Sequence, residues 1–324
     1  MKIGLLGSGA YGMALSSVLA NNGCDITMWT KFEEEKDNLE KTRKNEKLIP
    51  NFEIDKNIKL TTSVKECVED KDLLIIVIPA AFVDSLCEEM KPYIKNNHIV
   101  IATKGIEQGT GLFVSEIVGK HLKTKNIAVL SGPTFAIDLV SGMPAGLSIA
   151  SKSKKTIEIA KKALQNNYVK LRETNDVNGV EICGSIKNVI ALSAGILEGL
   201  KANESTKAML ITEALYDMER ILDAFNCDKH TVLSFAGIGD LILTCTSTKS
   251  RNYSFGKIIG EKASKEELDN YLSNTTVEGY YTLESIHQLL KDKDVRIPII
   301  DLIYEIVVNG KNPELLLVFL VFKL

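Results

Sequence analysis

The chain opens with MKIGLLGSGAYG, residues 1–12, and this stretch decides the fold. A short apolar run leads into three glycines spaced GxGxxG, Gly7, Gly9 and Gly12, and a helix-forming stretch follows them. In dinucleotide-binding folds the first glycine permits a tight turn, the second lets the backbone approach a pyrophosphate, and the third lets helix and strand pack closely. Backbone N–H groups at the helix N-terminus then bind the pyrophosphate. We therefore predict a strand, a dinucleotide-binding loop and a helix, with a ligand-free glycine turn as the alternative.

The first half of the chain alternates short apolar runs with amphipathic stretches. Continuous apolar runs are typical of strands buried in a parallel sheet, and the stretches between them are long enough for crossover helices. The pattern predicts an α/β fold with a Rossmann-type, mostly parallel sheet domain over residues 1–179. The predicted strands are 3–6, 26–29, 73–78, 99–102 and 127–130, with further candidates at 145–150 and 168–172, and the predicted helices are 11–21, 82–93 and 111–122.

The second half has a different pattern. Long helical patterns occupy residues 180–200, 207–225, 281–290 and 299–308, with no clear strands between them. We therefore predict an all-α C-terminal domain over residues 180–324. A chain of 324 residues exceeds what one hydrophobic core normally supports, which agrees with two domains.

The composition excludes several classes of function. The chain carries 39 basic and 42 acidic residues, so it lacks the basic excess of a nucleic-acid-binding protein. The six cysteines form no CxxC pair and the four histidines show no metal-ligand spacing, so we expect no metal site. Reduced, scattered thiols are typical of a cytoplasmic protein, and a small-molecule substrate fits this composition best.

Two apolar stretches resemble membrane signals. The stretch after Lys2 is accounted for by the strand, the glycine turn and the helix, so it does not require a secretory signal. The apolar run at residues 315–322 is too short to span a bilayer and predicts a docked terminal helix. We expect no membrane segment.

The end of the second strand bears on the choice of cofactor. NAD-selective folds usually place an acidic residue there, about 20 positions beyond the glycines, to bind the ribose 2′-hydroxyl. Here that place holds Thr30 and Lys31. The cofactor is therefore NAD or NADP, and we expect NADPH to be tolerated or preferred. The acidic residues 33–35 weaken this inference, but we interpret them as the solvated first turn of a helix.

A polar cluster follows the glycine turn at Gly237 and Gly239, and core packing does not explain it. An arginine fork with short neutral donors is typical of a small-anion site such as one for phosphate. An acidic residue beside a phosphate would repel it, so we expect Asp240 to hold either a nearby cation, which we identify as Lys187, or a substrate hydroxyl. The alternative is a polar loop ending in an ordinary helix N-cap at Ser250 or Asn252. The members of the cluster are Asp240, Thr244, Ser250, Arg251 and Asn252.

Two lysines are candidates for acid–base chemistry. Lys104 follows a predicted strand, at the edge of the sheet where open α/β folds place their ligands. Lys187 lies in a helix rich in small residues, where a buried lysine is costly unless it has a partner. A solvated strand-end lysine and a snorkelling lysine are the respective alternatives.

Ordered sequence blocks along essentially the whole chain give it a family resemblance. The chain resembles the NAD(P)-dependent glycerol-3-phosphate dehydrogenases of the bacterial soluble type. The blocks are GSGAYG (7–12), VIP (77–79), ATKGIE (102–107), LSGPTFA (130–136), CGSIKNVIALSAG (183–195), AGIGDLILTCTSTKSRN (236–252) and VEG (277–279).

The resemblance implies reversible reduction of dihydroxyacetone phosphate to sn-glycerol 3-phosphate, which feeds phospholipid synthesis. Lys187 matches the catalytic lysine that protonates the carbonyl oxygen, a role that suits an amine protonated at neutral pH. Lys104 and Asp240 match catalytic positions that order the substrate. The implied substrate-binding residues are Lys104, Gly132, Thr134, Lys187, Asn188, Asp240, Thr244, Ser250, Arg251 and Asn252.

The resemblance extends to the cofactor and the assembly. It makes a homodimer plausible in a cytoplasmic enzyme. Tyr11 stands where Trp is commoner, Thr134 where Ser is usual, Ala80 where Ser often follows the proline, and Lys31 where Arg or His is usual. The implied cofactor-binding residues are Gly7, Gly9, Ala10, Tyr11, Gly12, Lys31, Lys104, Ala136, Arg251, Val277 and Glu278.

Two alternative functions remain open from the sequence. A β-hydroxyacid or sugar-acid dehydrogenase on the same scaffold would also use Arg251 and Lys187, in this case to bind a carboxylate. A non-catalytic NAD(P) redox sensor would keep the glycine loop, but it would have no need of Lys187, Asp240, Arg251 and Asn252 together.

Overall fold

The computed structural model describes residues 1–107, 109–290 and 293–322. The chain forms two compact units: unit 1 comprises residues Met1–Lys104 and Phe113–Val177, and unit 2 comprises Gly105–Leu112 and Asn178–Leu324. The sequence pattern placed Gly105–Leu112 in the first domain, whereas the structure groups this segment with unit 2. The predicted fold class, a mostly parallel α/β sheet followed by helices, is confirmed.

Unit 1 is built on an eight-stranded sheet. Its strands are β1 (Lys2–Leu6), β2 (Asp25–Trp29), β3 (Lys59–Thr61), β4 (Leu73–Ile76), β5 (His98–Ile101), β6 (Ile127–Ser131), β7 (Ala145–Ala150) and β8 (Val169–Thr174). The strand order is β3-β2-β1-β4-β5-β6-β7-β8. Neighbouring strands pair in parallel except β6 and β7, which are antiparallel. The carboxyl ends of β1, β2, β4, β5 and β6 therefore lie on one edge, where such sheets bind ligands.

Helices cover the sheet of unit 1. Met13, Val18 and Leu19 pack with Ile3 and Leu5 in a shared apolar core, and full burial of each such side chain contributes about 1.5–3 kcal/mol. The helices of unit 1 are α1 (Ala10–Asn21), α2 (Glu33–Thr42), α3 (Val64–Val68), α4 (Val83–Met90), α5 (Val114–Leu122), α6 (Ala136–Val140) and α7 (Lys154–Leu164).

Unit 2 is helical, and its described residues contain no strand. Its helices are α8 (Val177–Gly199), α9 (Glu204–Ala224), α10 (Asp240–Cys245), α11 (Arg251–Gly260), α12 (Lys265–Asn274), α13 (Glu278–Leu290), α14 (Pro298–Val307) and α15 (Leu315–Phe322). The predicted docked terminal helix is confirmed, because α15 buries Leu316, Phe319 and Leu320 and contacts α9 and α14. Residues 323 and 324, which follow α15 in the sequence, lie outside the described residues.

Helix α8 is buried along most of its length, and small residues let its backbone approach α11. A Cβ on Gly195 would lie 2.0 Å from the carbonyl oxygen of Tyr253, and a Cβ on Gly256 would lie 2.0 Å from that of Leu192. Among the described residues α8 is the one helix long and apolar enough to cross a membrane, yet its apolar window is entirely buried within the protein. A buried core helix accounts for the same composition.

Candidate functional site

The glycine loop of unit 1 has the geometry of a phosphate-binding turn. The N–H of Gly7 donates to the carbonyl oxygen of Trp29 over 3.1 Å, which ties the turn to β2. A Cβ on Gly12 would lie 2.1 Å from the carbonyl oxygen of Gly7, so only glycine permits this approach of α1 to the turn. In contrast, a Cβ on Gly9 would meet no atom within 4 Å, and no side chain caps α1 at Gly9. The open face beside uncapped N–H groups fits a pyrophosphate.

The loop after β6 lies next to the first turn of α1. The hydroxyl groups of Tyr11 and Thr134 are 2.8 Å apart and form a hydrogen bond. Gly132 has a packing role of its own, because a Cβ there would lie 2.8 Å from the carbonyl oxygen of Gly146 on β7. Ala136 is the first residue of α6 and is half-buried. The structure thus brings together Tyr11, a predicted cofactor residue, and Thr134, a predicted substrate residue.

Lys104 follows β5 at the carboxyl edge of the sheet and is half-buried. The neighbouring Thr103 donates its hydroxyl hydrogen bond to the carbonyl oxygen of Ile78 over 2.8 Å. This bond holds the chain beyond β5 against the chain beyond β4, directly before Lys104. The position agrees with the expected place of a ligand-binding lysine in an open α/β sheet.

The end of β2 differs from the sequence-based interpretation in one respect. The acidic residues do form the first turn of α2, as predicted. However, Glu35 is half-buried and accepts a hydrogen bond from the hydroxyl of Thr30, so it is not simply solvated. Lys31 is exposed. A carboxylate therefore stands at this strand end although the residue directly after β2 is threonine.

In unit 2 the predicted pairing of Asp240 with Lys187 is confirmed. Lys187 Nζ, on α8, donates to Asp240 Oδ1 over 2.8 Å and to Thr244 Oγ1 over 3.0 Å, both on α10. The three residues are 7%, 1% and 3% exposed in that order. Thr244 in turn donates to the backbone carbonyl oxygen of Asp240 over 2.6 Å. A charge pair this deeply buried, with hydrogen bonds to both members, satisfies the condition under which a protein tolerates it.

A turn that contains Gly237 comes directly before α10 and precedes Asp240, the partner of Lys187. Gly237 interrupts the helical backbone with ψ −111°, and a Cβ there would lie 2.2 Å from the carbonyl oxygen of Val232. At the end of α10, burial raises the pKa of the Cys245 thiol to about 12, against the lowering effect of the Lys187 ammonium. Cys245 is therefore a neutral packing residue near the charged group.

An amide network surrounds the next residue of α8. Asn188 donates to Glu278 Oε2 over 2.9 Å and accepts from Asn252 Nδ2 over 3.1 Å. Asn252 Oδ1 accepts from the N–H of Gly279 over 2.8 Å, which caps the start of α13. Each amide nitrogen carries two N–H donors, and each uses one in these bonds. The network therefore fixes both asparagines while leaving donor capacity for an anion.

The remaining predicted residues of unit 2 have different settings. Arg251 is exposed at the first position of α11. Ser250 is the N-cap of that helix, its hydroxyl accepting from the N–H of Tyr253, so the capping alternative holds for this residue. Val277 is completely buried, and its predicted cofactor contact stays a prediction.

Sequence reasoning missed two features of the site. The bond between Asn188 and Asn252 joins residues 64 positions apart, and no local pattern indicates it. The hydrogen bond from Thr30 to Glu35 was easier to anticipate from the sequence, because an acidic residue in the first helical turn lies close to the end of the preceding strand. As for metals, the residues that the structure describes contain no cluster of three or more potential ligands.

Comparison with known proteins agrees with this geometry. Residues 2–157 match the family model of the NAD-dependent glycerol-3-phosphate dehydrogenase N-terminus, and residues 176–318 match that of the C-terminus. The chain is 33% identical over 313 residues to a glycerol-3-phosphate dehydrogenase (NAD(P)+) of Acinetobacter baumannii, covering 97% of this chain and 87% of that protein. It is 34% identical to the Fusobacterium nucleatum protein of the same name, covering 96% and 94%. The crystal structure of glycerol-3-phosphate dehydrogenase from Coxiella burnetii superposes with a TM-score of 0.92 at 30% identity, covering 99% and 98%.

Proposed function

This chain belongs to the family of NAD-dependent glycerol-3-phosphate dehydrogenases, and we propose that it interconverts dihydroxyacetone phosphate and sn-glycerol 3-phosphate with Lys187 as the proton donor. The chain is an oxidoreductase that uses NAD or NADP. The observation that carries the proposed role is the buried Lys187, held by Asp240 and Thr244 in a helical unit that follows a dinucleotide-binding sheet.

Reduction of a ketone needs a hydride and a proton. The open face beside Gly9 and the uncapped start of α1 would hold the pyrophosphate of NADH or NADPH, which would supply the hydride. Lys187 gives its proton to the carbonyl oxygen of the substrate. A positioned general acid of this kind contributes typically about 10²–10⁴-fold to the rate.

Asp240 and Thr244 act on Lys187 by orientation. They accept two of the three N–H bonds that an ammonium group can donate, which fixes the direction of the amine. The carboxylate of Asp240 also favours the charged form of its partner, which is the form that donates a proton. We assign Lys104 to ordering the substrate from the carboxyl edge of the sheet.

The phosphate group of the substrate is assigned to residues at the start of α11. Arg251 presents a guanidinium fork that matches two phosphate oxygens. Asn252 offers its second amide N–H from a position fixed by Gly279 and Asn188. These contacts are remote from the reacting carbonyl, so their binding energy orients the ketone and raises turnover as well as affinity.

Several finer assignments complete the proposal. We propose that the product serves phospholipid synthesis, that the enzyme works in the cytoplasm and that it forms a homodimer. The domain boundary between residues 179 and 180 also stays a prediction, which limited proteolysis with mass spectrometry tests.

The test of the proposed reaction is a substrate profile of the wild-type protein. The loss of nicotinamide absorbance at about 340 nm is followed with dihydroxyacetone phosphate, with unphosphorylated dihydroxyacetone and with a 3-oxo acid. We expect turnover with the phosphorylated ketone and at least about a hundredfold lower kcat/KM without the phosphate, because lost binding energy lowers the rate of the chemical step. Turnover with the 3-oxo acid alone would establish a hydroxyacid dehydrogenase, and cofactor binding without any turnover would establish a sensor.

A further inference from the structure

We propose that Glu35 makes this enzyme select NADH over NADPH, by holding a carboxylate where the 2′-phosphate of NADPH would lie. The inference rests on the proposed function only in taking the bound group to be a nicotinamide dinucleotide. Lys31, the residue next to the strand end, had suggested the opposite preference from sequence alone.

The register of the sheet places Thr30 beside the glycine loop. Leu6 of β1 pairs with Trp29 of β2, and the N–H of Gly7 donates to the carbonyl oxygen of Trp29 over 3.1 Å. Gly7 directly follows β1 and Thr30 directly follows β2. Because these strands are adjacent and parallel, the backbones of the two residues lie about 4.8 Å apart across the sheet. In dinucleotide-binding folds this is the place of the adenosine ribose.

Glu35 reaches this place from the first turn of α2. The hydroxyl of Thr30, which is 2% exposed, donates a hydrogen bond to Glu35 Oε2. The bond uses one carboxylate oxygen, and the other has the capacity to accept from a ribose hydroxyl. A fixed carboxylate at this strand end is the feature by which such folds recognise the 2′-hydroxyl of NAD.

The other two acidic residues of this turn are directed elsewhere. Glu33 accepts from Lys36 over 2.8 Å and from the hydroxyl of Thr62, which lies beyond β3. Its hydrogen bond with Lys36 lowers the pKa of the Glu33 carboxyl. Glu34 is exposed. Glu35 is thus the member of the turn that the structure connects to β2, and Glu34 is a matched control with the same charge.

The charge of Glu35 acts in opposite directions on the two cofactors. A 2′-phosphate would lie close to the carboxylate, and like charges in contact disfavour binding. The 2′-hydroxyl of NADH instead donates a hydrogen bond to it. The exposed ammonium of Lys31 is screened by solvent, so its attraction for a phosphate is weaker than the repulsion from the half-buried carboxylate.

The test measures binding without turnover. Dissociation constants of NADH and NADPH are obtained from nicotinamide fluorescence for the wild type, Glu35→Gln and the control Glu34→Gln. We expect the wild type to bind NADH at least about tenfold more tightly, Glu35→Gln to remove most of this preference, and Glu34→Gln to keep it within about twofold. A second variant, Thr30→Val, releases Glu35 without removing its charge and is expected to reduce the preference in part.

Two results would overturn the assignment. One is a wild type that binds NADPH as tightly as NADH, in which case Lys31→Ala should weaken NADPH selectively. The other is an equal cofactor preference in Glu35→Gln and Glu34→Gln. Because these are binding constants, a chain that shows the NADH preference but fails to turn over dihydroxyacetone phosphate refutes the proposed reaction and leaves the role of Glu35 intact.

Discussion

Removing both charges of the Lys187–Asp240 pair should destabilise the protein by well under the sum of the losses from removing each charge alone. Lys187→Met leaves the Asp240 carboxylate, which is 1% exposed, without the ammonium that lies 2.8 Å from it. Asp240→Asn leaves the Lys187 ammonium, which is 7% exposed, without that carboxylate. Breaking a buried ion pair from one side costs about 3–5 kcal/mol. In the double variant neither charge of the pair remains, so its loss should be well below the sum of the single losses.

The assay is a double-mutant cycle of unfolding free energies in urea. Circular dichroism is the appropriate signal for helical unit 2, because the single tryptophan, Trp29, belongs to unit 1. We expect a coupling free energy of about 2 kcal/mol or more, within the range for residues in direct contact. Additive losses within about 0.5 kcal/mol would refute the reasoning, because they would mean that the two side chains do not compensate each other's charge.

Two further predictions concern the glycine loop and a buried carboxyl group. Gly9→Ala should keep the melting temperature but weaken NADH binding at least about tenfold, because the new Cβ meets no atom within 4 Å yet fills the pyrophosphate face. Gly12→Ala should lower the melting temperature as well, because its Cβ would lie 2.1 Å from the carbonyl oxygen of Gly7. Equal effects of the two variants on binding and melting temperature would contradict this account. Asp217 accepts from the N–H groups at the start of α14, and burial raises the pKa of its carboxyl from 3.8 to about 6 against the lowering effect of those N–H groups. The native state therefore holds this proton more tightly than the unfolded chain, so the stability it contributes is present below pH 3.8 and is lost as the pH rises through 6. Between about pH 4 and 7 the unfolding free energy of the wild type should fall by about 2 kcal/mol relative to Asp217→Asn, measured in urea at both pH values; parallel pH profiles would contradict the assignment.

The sequence predicted elements whose pattern is local. The buried strands and the helix after the glycine loop follow from continuous apolar runs and turn glycines. Strand β3 was missed because it has three residues, begins with Lys59 and presents no apolar run. The antiparallel pairing of β7 with β6 could not be predicted from the sequence either, because a buried strand has the same composition in either direction.

The site shows the same division between local and long-range information. The pairing of Lys187 with Asp240 was predictable because a buried lysine needs an anion and the polar cluster after the glycine turn contains one. The capping of α13 by Asn252 depends on a contact across 27 positions, and its polar character alone also fits a surface loop. Glu35 was assigned to a solvated first helical turn because negative charge there suits the helix dipole. That argument does not reveal a hydrogen bond back to the end of the preceding strand.

The role of Lys187 as proton donor is tested most directly by the kcat of Lys187→Met with dihydroxyacetone phosphate and saturating NADH. Lys207→Met is the matched control, because Lys207 is another largely buried lysine of unit 2 that is paired with an acidic residue, Glu198, over 2.5 Å. We predict that Lys187→Met loses at least about a hundredfold in kcat while still binding NADH, and that Lys207→Met keeps kcat within a few-fold of the wild type. An unchanged kcat in Lys187→Met would contradict the assignment of this lysine as the general acid.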